Sequence, residues 1–453
     1  MSIDLAAEAI RAQLSGRLLL PADSEYEQAR RVHNGAVDKR PAAIVRCAGT
    51  ADVQDALALA RQQGLPVAVK GGGHSVAGRA VCDDGLVIDL SLMRGVMVDP
   101  RARTARAQPG ATWGGFNRET QVYGLATTGG VVSTTGVAGL TLGGGLGWLM
   151  GKYGLAVDNL RSADVVTADG KVLHASQEQN PDLFWALRGG SGNFGVVTQF
   201  EYALHPVGPL VTGGIIAFPF DQARTILRSF REFTAGLPDE LTAFCGLIHA
   251  PDGSGAKLAG VVACHCGPLE AGEAALAPLR RFGTPVMDAL GPIPYTVQNT
   301  LLDAGFPAGA RNYWKSSFLN ALTDDVIDVA VERFAACPSP MSGMVLEHFH
   351  GAATRVPPTA TAFGHRTEGY NLLVAAEWLD RAEDGPNTAW ARETFAALAP
   401  AMARATYVNY MSDDESAGRI SEAYGVNYAR LQELKRRYDP ENVFHLNQNI
   451  PPA

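Results

Sequence analysis

The sequence predicts an α+β protein of two domains, on three observations. Its 453 residues exceed what one hydrophobic core usually spans. Strand and helix patterns alternate as far as Leu204. The composition then shifts at His205-Pro206-Val207-Gly208-Pro209, and beyond it the apolar periodicity reads as an antiparallel sheet backed by helices.

In chain order, Leu5 to Leu14 has a helical pattern and Tyr26 leads on to Asn34, so residues 1–38 read as a helical entry. Ile44-Val45-Arg46 is a strand by its β-branched content. Thr50 to Gln63 is a helix opened by a Thr-Ala-Asp cap. Pro66 to Lys70 is a strand, Leu86 to Leu90 and Thr104 to Ala107 continue its sheet, and Trp113 to Tyr123 is helical. In the second half Leu210–Phe220, Ala243–His249 and Leu258–Ala263 read as strands, with helices at Gln222–Ala235 and Leu269–Arg281. Met344–His350 and Tyr370–Trp378 are further strands, and a helix from Arg419 to Tyr438 is interrupted near Gly425.

Three glycine tracts carry the functional signal. The first, Lys70-Gly71-Gly72-Gly73-His74-Ser75-Val76-Ala77-Gly78, follows directly on a strand. Without a Cβ, such a loop can turn its N–H groups around an anion such as phosphate. His74 stands where an imidazole nucleophile would sit beside the bound group, or else is a capped loop histidine. The second tract runs from Gly129 to Gly147, and its glycine density suits backbone packed against a large flat ligand. The third is Arg188-Gly189-Gly190-Ser191-Gly192-Asn193-Phe194-Gly195-Val196-Val197. Three such tracts exceed what turn chemistry requires. No G-x-G-x-x-G opens a helix ahead of an acidic residue, so a nicotinamide fingerprint is absent.

In this order, with the closing Tyr438-Asp439-Pro440-Glu441-Asn442-Val443-Phe444 and Asn447-Gln448-Asn449-Ile450, the motifs resemble the berberine bridge enzyme-like oxidases. These belong to the vanillyl-alcohol oxidase and p-cresol methylhydroxylase (PCMH) flavoprotein fold. The resemblance covers nearly the whole chain. It implies a PCMH-type FAD-binding domain over residues 1–207, a substrate domain over 208–416, and a segment 417–453 that returns to the FAD domain. It also implies a covalent bond from His74 to the flavin 8α-methyl carbon. The FAD contacts it implies are Gly71, Gly72, Gly73, His74, Ser75 and Gly78 in the first tract. They continue with Thr134, Thr135, Gly136, Gly139, Gly143 and Gly144, then Asp158 and Asn159, Gly192, Gly195 and Val197, and finally Asn447 and Asn449.

One departure matters. Many relatives attach the flavin a second time through a cysteine opening a Cys-Pro-Thr-Val-Gly-type motif, and here the stretch reads Val132-Ser133-Thr134-Thr135-Gly136. The implied attachment is therefore single, as in the monocovalent branch typified by 6-hydroxy-D-nicotine oxidases. Loss of the thioether is expected to lower the flavin potential and leave more room on that side. Thr135, close to valine in shape, matches the position near the flavin edge that oxygen attacks.

An oxidase of this kind needs a base for the departing O–H or N–H proton. On the Met344–His350 strand, Glu347 shares a face with Val345 and Phe349, whereas His348 and His350 share the other. Apolar neighbours invite a raised carboxyl pKa, so Glu347 reads as a base, or equally as a salt-bridged sheet glutamate. The position matching the family's catalytic glutamate is Leu373, which puts berberine-type chemistry in doubt. Tyr407-Val408-Asn409-Tyr410 matches the segment from which related oxidases draw a catalytic tyrosine. Tyr410 is favoured over Tyr407, and each reads equally as a packed aromatic. Lys315 reads as a substrate contact or as a surface lysine.

The composition narrows the partners. A net charge of −8 and no basic run argue against nucleic acid or an anionic membrane. Cys264-His265-Cys266 lacks a second pair at zinc spacing, so no metal is expected. Asp4 and Glu8 interrupt the N-terminal stretch, which shows no signal-peptide core, and the six cysteines suit reduced thiols of a cytoplasmic protein. The expectation is an FAD-linked oxidase acting on a small-molecule alcohol, amine, phenolic or sugar carbon with molecular oxygen as acceptor. A dehydrogenase with another acceptor and a low-turnover flavin-carrying protein are the alternatives. Oligomeric state is unreadable.

Overall fold

The computed structural model describes residues 10–453. Residues 5–9 of the expected Leu5–Leu14 helix lie outside that range. A four-stranded sheet comes first, in the order Arg17–Leu19, Ala43–Arg46, Leu86–Asp89, Val67–Lys70. Its last three strands are parallel, and helix Thr50–Gln63 covers them with Val53, Ala56, Leu57 and Ala60. The N-terminal entry is thus not wholly helical: Arg17–Leu19 pairs with Ala43–Arg46, and only Tyr26–Ala29 forms a helix beyond it. The cap also differs. Gly49 is the N-cap residue, and the Asp52 carboxylate accepts from the N–H groups of Ser15, Gly16 and Ala48 at 2.7–2.9 Å.

Thr104–Ala107 does not continue this sheet. It belongs to a five-stranded antiparallel one, ordered Val96–Asp99, Thr104–Ala107, Val196–Ala203, Leu160–Val166, Val172–Ser176. Sequence proximity misled there, because the intervening Val96–Asp99 strand turns back on Thr104–Ala107 as a hairpin.

The second half forms an eight-stranded antiparallel sheet. Its main path runs Met287–Asp288, Leu210–Pro219, Lys257–His265, Leu241–His249, Gly343–Phe349, Gly369–Trp378, Arg311–Leu319. One face packs on helices Ala223–Thr234, Asp324–Ala335 and Asp384–Leu398 through Leu346, Leu372, Val374, Ala376, Phe230, Phe334 and Trp390. The period of two sends Val345, Glu347, Leu373 and Ala375 to the opposite face, towards the glycine tracts.

The C-terminal segment returns to the first half as a helix Ala417–Tyr424, a 3-10 turn and a helix Tyr428–Tyr438. A fully buried ion pair fixes it. Lys435 Nζ donates to Asp439 Oδ2 at 2.6 Å, to the Asn193 carbonyl at 2.8 Å and to the Phe444 carbonyl at 2.9 Å. Asp439 in turn accepts from the N–H groups of Val443 and Phe444. The third glycine tract and the closing motif are thereby joined at one cation. Lys435→Met leaves Asp439 buried without its counter-ion and is expected to cost about 3–5 kcal/mol. This would be read as a lower midpoint of chemical unfolding; an unchanged midpoint would contradict the role.

Candidate active site

All three glycine tracts and the free face of the large sheet line one cavity. Its glycine side is made of Gly71–Ser75, Gly136, Gly139, Gly192 and Gly195, and its sheet side includes Trp314, Val345, Glu347 and Leu373. The floor depends on contact between backbones. A Cβ on Gly72 would lie 2.6 Å from Gly136 Cα, and one on Gly136 would lie 2.6 Å from Gly72 N, so neither position admits a side chain. Two lining side chains also keep unsatisfied acceptors: Asn447 Oδ1 and Gln448 Oε1 are buried with no partner. Bare backbone on one side and buried orphan acceptors on another fit a flat, hydrogen-bonding flavin with its phosphates in the glycine loop.

His74 is held at the cavity wall. Its Nε2 lies 3.1 Å from Thr134 Oγ1, and its ring stacks on His33 with centroids 3.7 Å apart. Burial, reinforced by the neighbouring imidazole, pushes its pKa down to about 3, so the ring is neutral at neutral pH.

Glu347 is the one carboxyl among the described lining residues, and only 3% of it is exposed. Asn371 Nδ2 donates to its Oε2 at 2.6 Å, and Tyr410 O–H donates to its Oε1 at 2.9 Å. Burial raises its pKa to about 7, and both donors pull against that rise. The salt-bridge alternative finds no support, because these two bonds are neutral. The pairing register explains the absent family glutamate: Leu373 lies opposite Val345, and Glu347 lies opposite Asn371. The carboxyl is therefore one strand over and two residues along from the Leu373 position.

Tyr407 and Tyr410 both line the cavity but bond differently. The Tyr407 hydroxyl accepts from the N–H groups of Gly145 and Leu146 and from Asn409 Nδ2, so it pins the second glycine tract. Burial lifts its pKa to about 12. Tyr410 faces Glu347 and packs edge-on to Trp314, with centroids 5.6 Å apart. Burial and the adjacent carboxyl hold its pKa well above that of a free phenol.

Of the expected FAD contacts, Gly71, Gly72, Gly73, His74, Ser75, Thr135, Gly136, Gly139, Gly192, Gly195, Val197 and Asn447 line the cavity. Gly78, Thr134, Gly143, Gly144, Asp158, Asn159 and Asn449 are not among its lining residues. Thr134 Oγ1 instead contacts His74 Nε2. Gly143 leaves room for the Asn409 side chain, and Gly78 and Gly144 take positive φ angles of 64° and 121°. Asp158 is committed to both guanidinium Nη atoms of Arg366 at 2.8 Å, and Asn159 to His205 Nε2 at 2.6 Å. Lys315 is not a surface residue and is not among the lining residues of the cavity: it is buried against Asp414 at 2.9 Å and Glu415 at 2.7 Å.

Sequence reasoning missed Gln448 and Arg79. Gln448 stands between two asparagines that were singled out, and its orphan Oε1 is visible only in three dimensions. Arg79 lines the cavity with its Nε buried and unpartnered, while its Nη2 lies 3.4 Å from the Asp413 carbonyl.

Residues 41–176 match the family described as FAD binding domain, and residues 406–451 the family described as berberine and berberine-like. The (R)-6-hydroxynicotine oxidase of Paenarthrobacter nicotinovorans is 32% identical over 97% of both chains. The chain belongs to the berberine bridge enzyme-like family of FAD-linked oxidoreductases. Among solved structures, 6-hydroxy-D-nicotine oxidase from Arthrobacter nicotinovorans superposes with a TM-score of 0.88 at 30% identity, covering 97% of this chain and 98% of that one. Xylooligosaccharide oxidase from Myceliophthora thermophila, in complex with xylobiose, superposes at 0.86 with 26% identity over 100% of both chains. The fold of this family member is thus the PCMH-type flavoprotein fold, and the chain is an FAD-binding oxidoreductase.

Tyr410→Phe removes one donor that favours the charged form of Glu347. The pH at which Glu347 ionises should then rise by about one unit. The carboxyl C=O infrared band, followed against pH and assigned with Glu347→Gln, measures this; an unchanged midpoint would show that the Tyr410 bond does not tune the group.

Proposed function

We propose that this oxidoreductase is an oxidase whose FAD is joined covalently through His74 and by no cysteine. Its substrate is a small molecule oxidised at an alcohol, amine, phenolic or sugar carbon, and molecular oxygen takes the electrons to give hydrogen peroxide. The observation that carries this reading is the shared cavity, which places His74 and the glycine tracts on one side and Glu347 with Tyr410 on the other. All six cysteines are buried and unpaired and none lines the cavity, while Val132 does, which supports a single link.

Bound FAD supplies a two-electron acceptor for the hydride. The residues of this chain supply the rest. With a pKa of about 7, Glu347 is largely a carboxylate just above neutrality, able to accept the proton from a substrate O–H or N–H. Tyr410 orients that carboxylate and Asn371 holds its second oxygen. Trp314, Leu373, Val345 and Phe306 keep the surroundings apolar and exclude water from the proton transfer. Tyr407 keeps the second tract in place beside them. Thr135 lines the cavity and leaves room for oxygen. The relatives named for oxidising hydroxynicotine and xylooligosaccharide support oxidase chemistry on small molecules.

Acid precipitation of the purified protein should leave yellow, fluorescent flavin in the pellet, and His74→Ala should release it to the supernatant. Substrates found by oxygen uptake should yield one peroxide per oxygen consumed, and Glu347→Gln should slow flavin reduction by about 10²–10⁴-fold. Reduction without oxygen uptake would point to a dehydrogenase, and a flavin that no donor bleaches would sink the oxidase reading.

A further inference from the structure

The stack of two imidazoles at the glycine loop has no part in the chemistry described so far. His33 and His74 lie with ring centroids 3.7 Å apart and planes 21° from parallel. The His33 backbone is pinned on both sides. Its N–H donates to the Gly73 carbonyl at 2.9 Å, and its own carbonyl accepts from the Gly309 N–H at 2.9 Å. The next residue extends the clamp. Asn34 Nδ2 donates to the Val76 carbonyl at 2.7 Å and the Asn312 carbonyl at 2.9 Å, while its Oδ1 accepts from the Asn312 N–H at 2.9 Å. His33-Asn34 therefore ties the His74 loop to the Arg311–Leu319 strand of the substrate sheet.

The His74 ring is consequently fixed at two places, one face by His33 and one edge by Thr134 Oγ1 at 3.1 Å. Burial lowers the pKa of both imidazoles, and a charge on His33 would lower that of His74 further. A nucleophilic nitrogen needs both a free lone pair and a fixed direction. The His33 nitrogens do not point at those of His74 in a parallel stack, so its part is to orient rather than to exchange protons.

We propose that His33 is a positioning residue for covalent flavin attachment, holding the His74 ring by stacking so that its nitrogen meets the 8α-methyl carbon. This rests on the reading of His74 as the attachment residue. In the step itself a C–N bond forms, one methyl C–H and the imidazole N–H break, and two protons leave. The two electrons enter the flavin and pass to molecular oxygen, so each link made yields one hydrogen peroxide.

The test uses the full-length chain produced under flavin limitation, mixed with FAD in air and quenched with acid at intervals. Pellet flavin fluorescence then gives the rate of attachment, with no substrate required. His33→Ala should slow attachment about tenfold or more. His33→Phe keeps an aromatic face without ring nitrogens and should restore a rate close to wild type. Equal rates in wild type and His33→Ala would overturn the proposal, as would His33→Phe attaching as slowly as His33→Ala while both bind FAD normally. A wild-type protein that releases all its flavin into the supernatant would instead overturn the His74 reading, and this proposal with it.

Discussion

Everything functional here depends on two stretches of backbone touching where no side chain fits. Gly72 and Gly136 approach so closely that a Cβ on either would overlap the other's main chain. This contact joins the loop that carries His74 to the tract that carries Thr135, and together they form one wall of the cavity. Hydrogen bonds from the Gly114 N–H to the Ser133 carbonyl and from the Trp113 N–H to the Thr135 carbonyl hold the second tract against the start of helix Trp113–Gln121. Ser133 is bonded in turn to Asp303 of the second half through both its N–H and its hydroxyl. The wall is thus anchored from both halves of the chain.

Opposite it, the large sheet contributes chemistry through its period of two. The face turned to the helices packs on them through aliphatic and aromatic side chains. The face turned to the cavity carries a single carboxyl among the described lining residues, and that carboxyl has neutral donors only. An isolated buried acid with two neutral partners is balanced between its charge states, whereas a salt bridge would lock it ionised. The nearby lysine is committed elsewhere. Lys315, on the strand next to Leu373, is spent on Asp414 and Glu415, which follow Tyr410 by only a few residues. The same bonds hold the Tyr410 segment against the sheet, helped by Ser412 Oγ donating to the Trp314 carbonyl at 2.5 Å.

Much of this was legible in the sequence, for identifiable reasons. Helix Thr50–Gln63 follows from periodicity, since it buries one face, and the large-sheet strands follow from their apolar runs, Gly369–Trp378 being buried along its whole length. Glu347 was found because alternation placed it with Val345 on one face, and both do line the cavity. What escaped was information carried across long sequence separations. The assignment of Thr104–Ala107 to a second sheet depends on pairing with Val196–Ala203. The Asp158–Arg366 ion pair likewise joins residues far apart in the chain. The Lys315 pairing and the His33–His74 stack have the same origin, as no local pattern marks either one.

The central claim is that the flavin and Glu347 share one cavity, and it can be tested without a substrate. The absorbance spectrum of the flavin in the purified holoprotein, titrated from acid to alkaline pH, should shift with a midpoint near the Glu347 pKa of about 7. Below the midpoint the carboxyl is neutral; above it a buried negative charge faces the ring system and alters its absorption. In Glu347→Gln that transition should vanish. A spectrum that does not change over this range, or a transition that survives the substitution, would contradict the account.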